Sequence, residues 1–268
     1  MVLIWHFWRQ VTIHLGADIC CDSAHKTLPV LTGGAYLHLH ENIVSEILDS
    51  ARKGLTMFGS TSPSYLILQS LDLCNVYLEQ KFRRELAECV EKVRQFKKAA
   101  GDRGLHIMEG EPLKIVIDTG ASGYDGEEIA GELREFVCCI RERKRFGIEC
   151  EFADHHMVVF MMSPQNGPED WQMLYRWLDR TRLLKPGKVF APAKTLGEEH
   201  AVRRMTIREA VFAESEIIPV REAEGRILAQ ETVSCPPAIP IAVSGEEIDR
   251  NMIRVFEEYG IRDVSVVK

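Results

Sequence analysis

Ser23, His25 and Lys26 bring a hydroxyl, an imidazole and a primary amine together in the run Ser23-Ala24-His25-Lys26. The run follows Gly16-Ala17-Asp18 and the apolar stretch Ile19-Cys20-Cys21, whose composition predicts a short buried strand. A lysine amine can hold an aldehyde as a Schiff base, and the hydroxyl and imidazole can donate to a phosphate. This is the donor set that a pyridoxal 5'-phosphate site uses. Taken alone, the same residues also fit a surface turn.

Other reactive side chains suggest less. Cys20-Cys21 and Cys138-Cys139 are adjacent pairs, and Cys74, Cys89, Cys150 and Cys235 are single. This spacing suits neither a disulfide framework nor a C-x-x-C metal site, so buried small apolar cysteines are expected. His155-His156 would point to opposite faces of a strand and cannot readily share an ion. His38 and His40 share a strand face without a third ligand nearby in sequence. No metal site is expected.

The elements that must position these groups can be read along the chain. Ala35 to Leu39 reads as a second strand, and Thr27 to Gly34 between the strands has turn chemistry in Pro29 and Gly33-Gly34. Glu41 to Met57 has helical spacing in Ile43, Ile47 and Leu48. After the loop Gly59-Ser60-Thr61, Ser62-Pro63 predicts a helix start with Ser62 as N-cap. That helix is expected to run with interruptions to Ala100, its charged half Lys81 to Lys98 forming a solvated face. Beyond Gly101-Asp102-Arg103-Gly104, a strand is predicted over Leu113 to Ile117 and a helix over Gly126 to Arg141. Strands over Ile148 to Phe152 and Met157 to Met162 flank an Ala153-Asp154-His155-His156 turn, and a helix spans Pro168 to Leu184. This order predicts a small α/β subdomain with a mainly antiparallel sheet. Leu184 to Leu196 reads as a linker. A last unit, Thr206 to Lys268, holds a helix, a strand, the run Cys235-Pro236-Pro237-Ala238-Ile239-Pro240, a helix from Glu246 and a terminal strand Val264 to Val267.

The 268 residues suffice for a sizeable core. The net charge of -7 argues against nucleic acid or an anionic membrane as the main partner. No apolar run is long enough to span a bilayer. Met1-Val2-Leu3-Ile4-Trp5 lacks a basic segment and a cleavage site, so a cytoplasmic protein is expected.

Further segments join Ser23-Ala24-His25-Lys26 in a fixed order. Thr61-Ser62-Pro63-Ser64-Tyr65 and Ser70-Leu71-Asp72 come first. Arg208-Glu209-Ala210 and Glu222-Ala223-Glu224-Gly225-Arg226 follow, then Pro236-Pro237-Ala238-Ile239-Pro240 and Ser244-Gly245-Glu246. In this order the chain, from about Leu15, resembles the ornithine/lysine/arginine decarboxylases, pyridoxal-phosphate enzymes of the aspartate-aminotransferase fold. The resemblance implies an α/β protein. Residues 1–105 would be the C-terminal part of a fold type I large domain that binds the cofactor. Residues 106–190 would form a small α/β subdomain, and residues 200–268 an α+β decarboxylase C-terminal domain. It implies that Lys26 holds the cofactor and that Ser23 and His25 bind its phosphate. Thr61 and Ser62 would lie on a loop reaching toward a neighbouring subunit's phosphate, in a homodimer or higher oligomer. Its substrate would be a basic amino acid: arginine, lysine or ornithine.

Several features depart from the family pattern. Cys235, Ala238 and Ser244 replace the usual Tyr, Gly and Pro of the tail, and many members carry Gln where Gly33 stands. The family's ring-nitrogen aspartate lies in an Asp-x-Ala-His segment just upstream of the lysine, whereas Asp18 and Asp22 are too close to Lys26 to match it. Met1 to Trp8 is unlike the family. Back-translated and read from one nucleotide earlier, it permits His-Gly-Ala-His-Leu-Ala-Phe, close to the family's Asp-Glu-Ala-His-Gly-Ala-His. The expectation is an out-of-frame reading that enters the true frame near Leu15-Gly16, on a chain truncated at its N-terminus. An unusual native N-terminus is the alternative, and the encoding DNA decides between them. Functionally, a decarboxylase with impaired activity is expected. The alternatives are a non-catalytic remnant that pairs with another subunit, or another reaction such as transamination on the same scaffold.

Overall fold

The computed structural model describes residues 13, 16–136, 139–140, 143–144, 147–181, 202–231 and 240–268. The expected out-of-frame segment, the linker after residue 184 and most of the proline run lie outside the described residues. The chain divides into two compact units. One runs to Ala99 and takes in Glu111–Lys114 and Met162–Tyr175. The other comprises Ala100–Gly110, Ile115–Met161 and Arg176–Lys268.

In the first unit, β1 (Ile19–Asp22) pairs antiparallel with β2 (Tyr36–Leu39), Asp22 facing Tyr36 and Ile19 facing Leu39. The expectation of a buried β1 is corrected: Ile19 is 41% exposed and Cys21 is exposed. A two-stranded ribbon buries little by itself. Helix α1 (Ser45–Phe58) follows and contains no buried residue. Helix α2 (Tyr65–Tyr77) starts at Ser64, whose side chain accepts from the Ile67 N–H, and not at Ser62. The Ser62 N–H instead donates to Ser60 Oγ, so a local serine turn takes up the residue expected to cap. A π-helical turn, Leu78–Phe82, leads directly into α3 (Arg83–Gly101). It carries the expected interruption without breaking the helical path. Leu86, Cys89, Val93 and Phe96 are buried at helical spacing, so the charged residues between them face solvent. Phe96 meets Tyr175 edge to face at 5.2 Å.

The second unit contains a four-stranded sheet in the order β3 (His106–Met108), β4 (Lys114–Asp118), β8 (Met157–Met161), β7 (Phe152–Ala153). The outer pairs, β3–β4 and β7–β8, are antiparallel. Ile115, Ile117, Val158 and Phe160 are buried, alternating along β4 and β8 as a half-buried sheet requires. Helix α4 (Gly126–Glu135) ends before the expected Arg141. A short hairpin of β5 (Cys139–Ile140) and β6 (Arg143–Lys144) follows it. The strand-favouring composition of Phe136 to Ile140 outweighs continued helical spacing there. The Ile148 N–H donates to the Leu133 carbonyl, so this residue closes the end of α4 and does not begin a strand. Helix α5 (Pro168–Thr181) carries buried Trp177 and Leu178, and Trp177 lies 5.8 Å from Phe160 between ring centres.

The C-terminal part of this unit holds α6 (Ile207–Phe212), started by a Thr206–Glu209 capping box. Its sheet has the order β10 (Leu228–Gln230), β11 (Asp263–Val267), β9 (Ser215–Pro219), all antiparallel. Helix α7 (Arg250–Glu258) packs Met252 and Phe256 into a core with Val220, Leu228, Ile248, Val264 and Val266. It begins at Arg250 and not at Glu246, because Glu246 and Glu247 are taken up in bridges to Arg203 and Ile227. Gly245 adopts φ +92°, and a Cβ there would run into the Met205 carbonyl. Among the described residues, no helix is long and apolar enough to cross a membrane.

Candidate functional site

β1 delivers the chain into a single 3-10 turn, Ala24–Lys26. The Lys26 N–H donates to the Ser23 carbonyl at 3.1 Å, and the Leu28 N–H donates to the Ala24 carbonyl at 2.9 Å. Ala24 is 3% exposed and anchors the turn from inside. The residues around it are thereby turned outward: Ser23 and Lys26 are exposed and His25 is half-buried. Ser23 makes no side-chain capping bond, so its hydroxyl remains available to a ligand. Among the described residues Lys26 enters no ion pair, which leaves its amine open to an aldehyde carbon.

The loop after Lys26 is closed at its neck, where the His25 N–H donates to the Gly34 carbonyl at 3.2 Å. Gly33 has φ +94°, and a Cβ on Gly34 would run into the Val30 side chain and lie 3.2 Å from the Leu31 carbonyl oxygen. Two side-chain bonds fasten this assembly to α2. The Leu31 N–H donates to Ser70 Oγ at 3.1 Å, and that hydroxyl donates in turn to the Ile67 carbonyl at 2.7 Å. The Tyr36 hydroxyl donates to the Leu71 carbonyl at 2.9 Å. Burial, followed by the neighbouring Cys74 and Asp72, pushes the Tyr36 pKa up to about 12, so the phenol stays a donor.

The structure therefore brings Ser23, His25 and Lys26 together on one turn. Thr61 and Ser62 lie exposed on the separate loop between α1 and α2, and among the described residues no hydrogen bond joins them to the Lys26 turn. Asp22 is already engaged: one carboxylate oxygen accepts from Cys20 Sγ at 3.2 Å and the other lies 3.2 Å from His38 Nε2. Ser70 and Tyr36 were not legible as site residues. The only sequence signal was the Ser70-Leu71-Asp72 segment, which carried no role.

A second polar cluster lies at the N-terminus of α4. Buried Asp125 accepts from the Glu127 and Glu128 N–H groups through Oδ1, and His155 Nδ1 donates to its Oδ2 at 2.9 Å. Next to it, His156 Nε2 donates to Glu258 Oε1 at 2.9 Å, and the Tyr259 hydroxyl lies 3.4 Å from Asp154 Oδ2. The two histidines thus serve different carboxylates. Burial and the Asp154 and Glu258 charges raise the Tyr259 pKa.

The residues bearing the Lys26 turn and its straps fall within a match to a family model. That model, Orn/Lys/Arg decarboxylase major domain, covers residues 12–119, and the model for the same family's C-terminal domain covers residues 191–259. The chain belongs to the Orn/Lys/Arg decarboxylase family. Among curated relatives of this family, the arginine decarboxylase of Bacillus subtilis is 29% identical over 94% of this chain and 53% of its own length. The arginine decarboxylase of Bacillus anthracis is 25% identical over 94% of this chain and 52% of its own. The chain spans about half the length of the curated relatives it matches. The Escherichia coli constitutive lysine decarboxylase superposes with a TM-score of 0.68 at 15% identity, covering 93% of this chain and 49% of that one. Lysine decarboxylase A of Pseudomonas aeruginosa gives 0.69 at 17%, with the same coverage. These two show that the mixed α/β fold is shared. The family is generally pyridoxal-phosphate-dependent, and the Lys26 turn carries an exposed amine that could hold an aldehyde, with a hydroxyl and an imidazole that could donate to a phosphate.

Proposed function

We propose that this chain carries the lysine-bearing part of a pyridoxal-phosphate-dependent decarboxylase of a basic amino acid: arginine, lysine or ornithine. Residues 1–105 would be the C-terminal part of the fold type I large domain, 106–190 a small α/β subdomain and 200–268 the decarboxylase C-terminal domain, in a cytoplasmic homodimer or higher oligomer. The single observation that carries this reading is the gathering of Ser23, His25 and Lys26 on one anchored turn, with the amine exposed. The cofactor, when bound, supplies an electron sink for the bond pair left as the substrate carboxylate departs. Lys26 would hold the cofactor's aldehyde carbon, and its Nζ could carry a proton at that position. Ser23 Oγ and the His25 ring would donate to the phosphate oxygens, and Thr61 and Ser62 would present hydroxyls to a neighbouring subunit's phosphate.

Asp22, the carboxylate nearest to Lys26 in sequence, is held by Cys20 and His38. Engaged in this way, Asp22 is not free to keep the cofactor's ring nitrogen protonated, and we propose impaired activity for the chain by itself. Missing preorganised charge of this kind costs on the order of 3 kcal/mol in such sites. A non-catalytic subunit-pairing role is the second reading, favoured by the exposed apolar side chains of α1 and α2.

Adding pyridoxal phosphate, reducing with borohydride and mapping the peptides tests the assignment. The label should appear on Lys26 and vanish in Lys26→Arg. A label on another lysine, or none, overturns it. Carbon dioxide release from arginine, lysine or ornithine, by the chain alone and with a full-length relative as benchmark, separates the two readings.

A further inference from the structure

We infer that Ser70 is a positioning residue for Lys26, acting through the loop that follows the lysine; this rests on the reading of Lys26 as the cofactor's anchor. Ser70 lies within α2, far from Lys26 in sequence, and never appeared among the residues expected to touch the cofactor. Its hydroxyl nevertheless does two things at once. It accepts the Leu31 N–H at 3.1 Å and donates to the Ile67 carbonyl at 2.7 Å. The second bond orients the first, because a hydroxyl whose proton is committed along the helix must present a lone pair elsewhere. The Leu31 side chain is half exposed, so burial does little to hold this part of the loop. The loop's neck is closed by the His25 N–H to the Gly34 carbonyl and by the Asp22–Tyr36 strand register. Its far end is pinned by Ser70. His25 and Lys26 lie between the two fastenings, on a turn of three residues that buried Ala24 anchors from inside. The Tyr36 hydroxyl, bonded to the Leu71 carbonyl at the next residue of α2, keeps the neck over the same stretch of helix. Ala24 turns Lys26 outward, and Ser70, by pinning the loop that leads away from the turn, narrows the direction the amine takes.

A merely structural role and a positioning role predict different outcomes for Ser70→Ala. Alanine is the better helix former, so the stability of α2 should be unchanged or rise. Covalent capture of pyridoxal phosphate at Lys26, followed by borohydride trapping over time, should fall about fivefold, the change expected for one hydrogen bond of ordinary net worth. Ser70→Thr, which keeps both bonds, should restore capture to near the unsubstituted rate, whereas Ser70→Val, of similar shape, should not. A second measurement is independent of the cofactor. Hydrogen exchange should show the Leu31 amide protected in the unsubstituted chain and in Ser70→Thr, with protection lost in Ser70→Ala. Equal capture rates in the unsubstituted and Ser70→Ala chains, with Lys26 labelled in both, overturn the positioning role and leave the cofactor assignment intact. An unprotected Leu31 amide in the unsubstituted chain overturns it directly, even if every variant fails to fold. If Lys26 is never labelled, the assignment of the lysine fails and the positioning role falls with it, while the exchange data still report whether Ser70 holds the loop.

Discussion

Lys26 owes its availability to its neighbour. Ala24 is the one residue of its turn small enough to be buried against the scaffold, and its burial turns Ser23 and Lys26 to solvent. The glycines downstream are needed for a different reason. At Gly34 the obstacle is space: an added methyl group meets the Val30 side chain and the Leu31 carbonyl, which must shift. Gly34→Ala should therefore destabilise the first unit by about 1–3 kcal/mol, the usual cost of overpacking, and reduce cofactor capture at Lys26. A urea midpoint equal to that of the unsubstituted chain would show that the loop yields freely. The buried thiols of Cys74 and Cys89 bear out the expectation of inert small side chains, and desolvation raises the pKa of both. Cys21 is exposed and departs from that expectation.

Among the elements, helix α4 is tied at its start to a residue remote in sequence. Asp125 caps it through two backbone N–H groups while accepting from His155, a residue of the distant β7–β8 turn. Burial pulls the His155 pKa down, but the hydrogen bond and charge of Asp125, with Glu127 and Asp154, outweigh it, and the folded value lies above the ordinary 6.5. Because the folded value is raised, the stabilisation is fully present below pH 6.5 and is lost as pH rises through the folded pKa. Urea midpoints should therefore fall between mildly acid and mildly alkaline pH, and His155→Gln should flatten that slope. An unchanged slope would mean that the imidazole is not charged in the fold. The acidic limb has a separate origin. Glu231, its pKa lowered first by the Ser244 backbone N–H, contributes above the usual carboxylate range and is lost as pH falls. A proline at position 244 would have no N–H to offer there. Asp125→Ala, which removes the cap and strands His155, should cost about 1–2 kcal/mol from the cap alone.

At the scale of the whole molecule, many exposed apolar side chains lie on α1 and α2 and in the loop between them, and a second group that includes Phe212 and Ile217 lies near α6 and β9. Leu55, Met57, Phe58, Tyr65, Leu66 and Leu73 are each at least 60% exposed, and α1 buries nothing. Large apolar side chains left in water favour association, because each loses its hydration cost only on contact with another apolar surface. The purified chain should self-associate or bind a hydrophobic dye well beyond what an ordinary monomer of its size does. A monodisperse monomer by light scattering, with no dye enhancement, would count against this. Polar substitutions at Met57 and Phe58 should improve solubility without lowering the urea midpoint, since neither side chain belongs to a core.

The sequence alone determined whatever depends on a few consecutive residues. The turn bearing Ser23, His25 and Lys26, the two strands beside it, the long helix with its solvated charged face and the order of motifs that marks the family were all legible there. Spacing and turn chemistry act over short distances and need no partner. The tertiary structure alone decided where competing local preferences yield. Ser64 caps α2 because Ser62 closes a turn with Ser60, and α7 waits for Asp249 because Glu246 and Glu247 are claimed by bridges to remote residues. It also decided which polar groups meet across the chain: Leu31 with Ser70, Asp125 with His155, His156 with Glu258. A hydrogen bond between residues far apart in sequence leaves no periodicity behind it. Its partners can be recognised only when folding has brought donor and acceptor within three ångströms or so of each other.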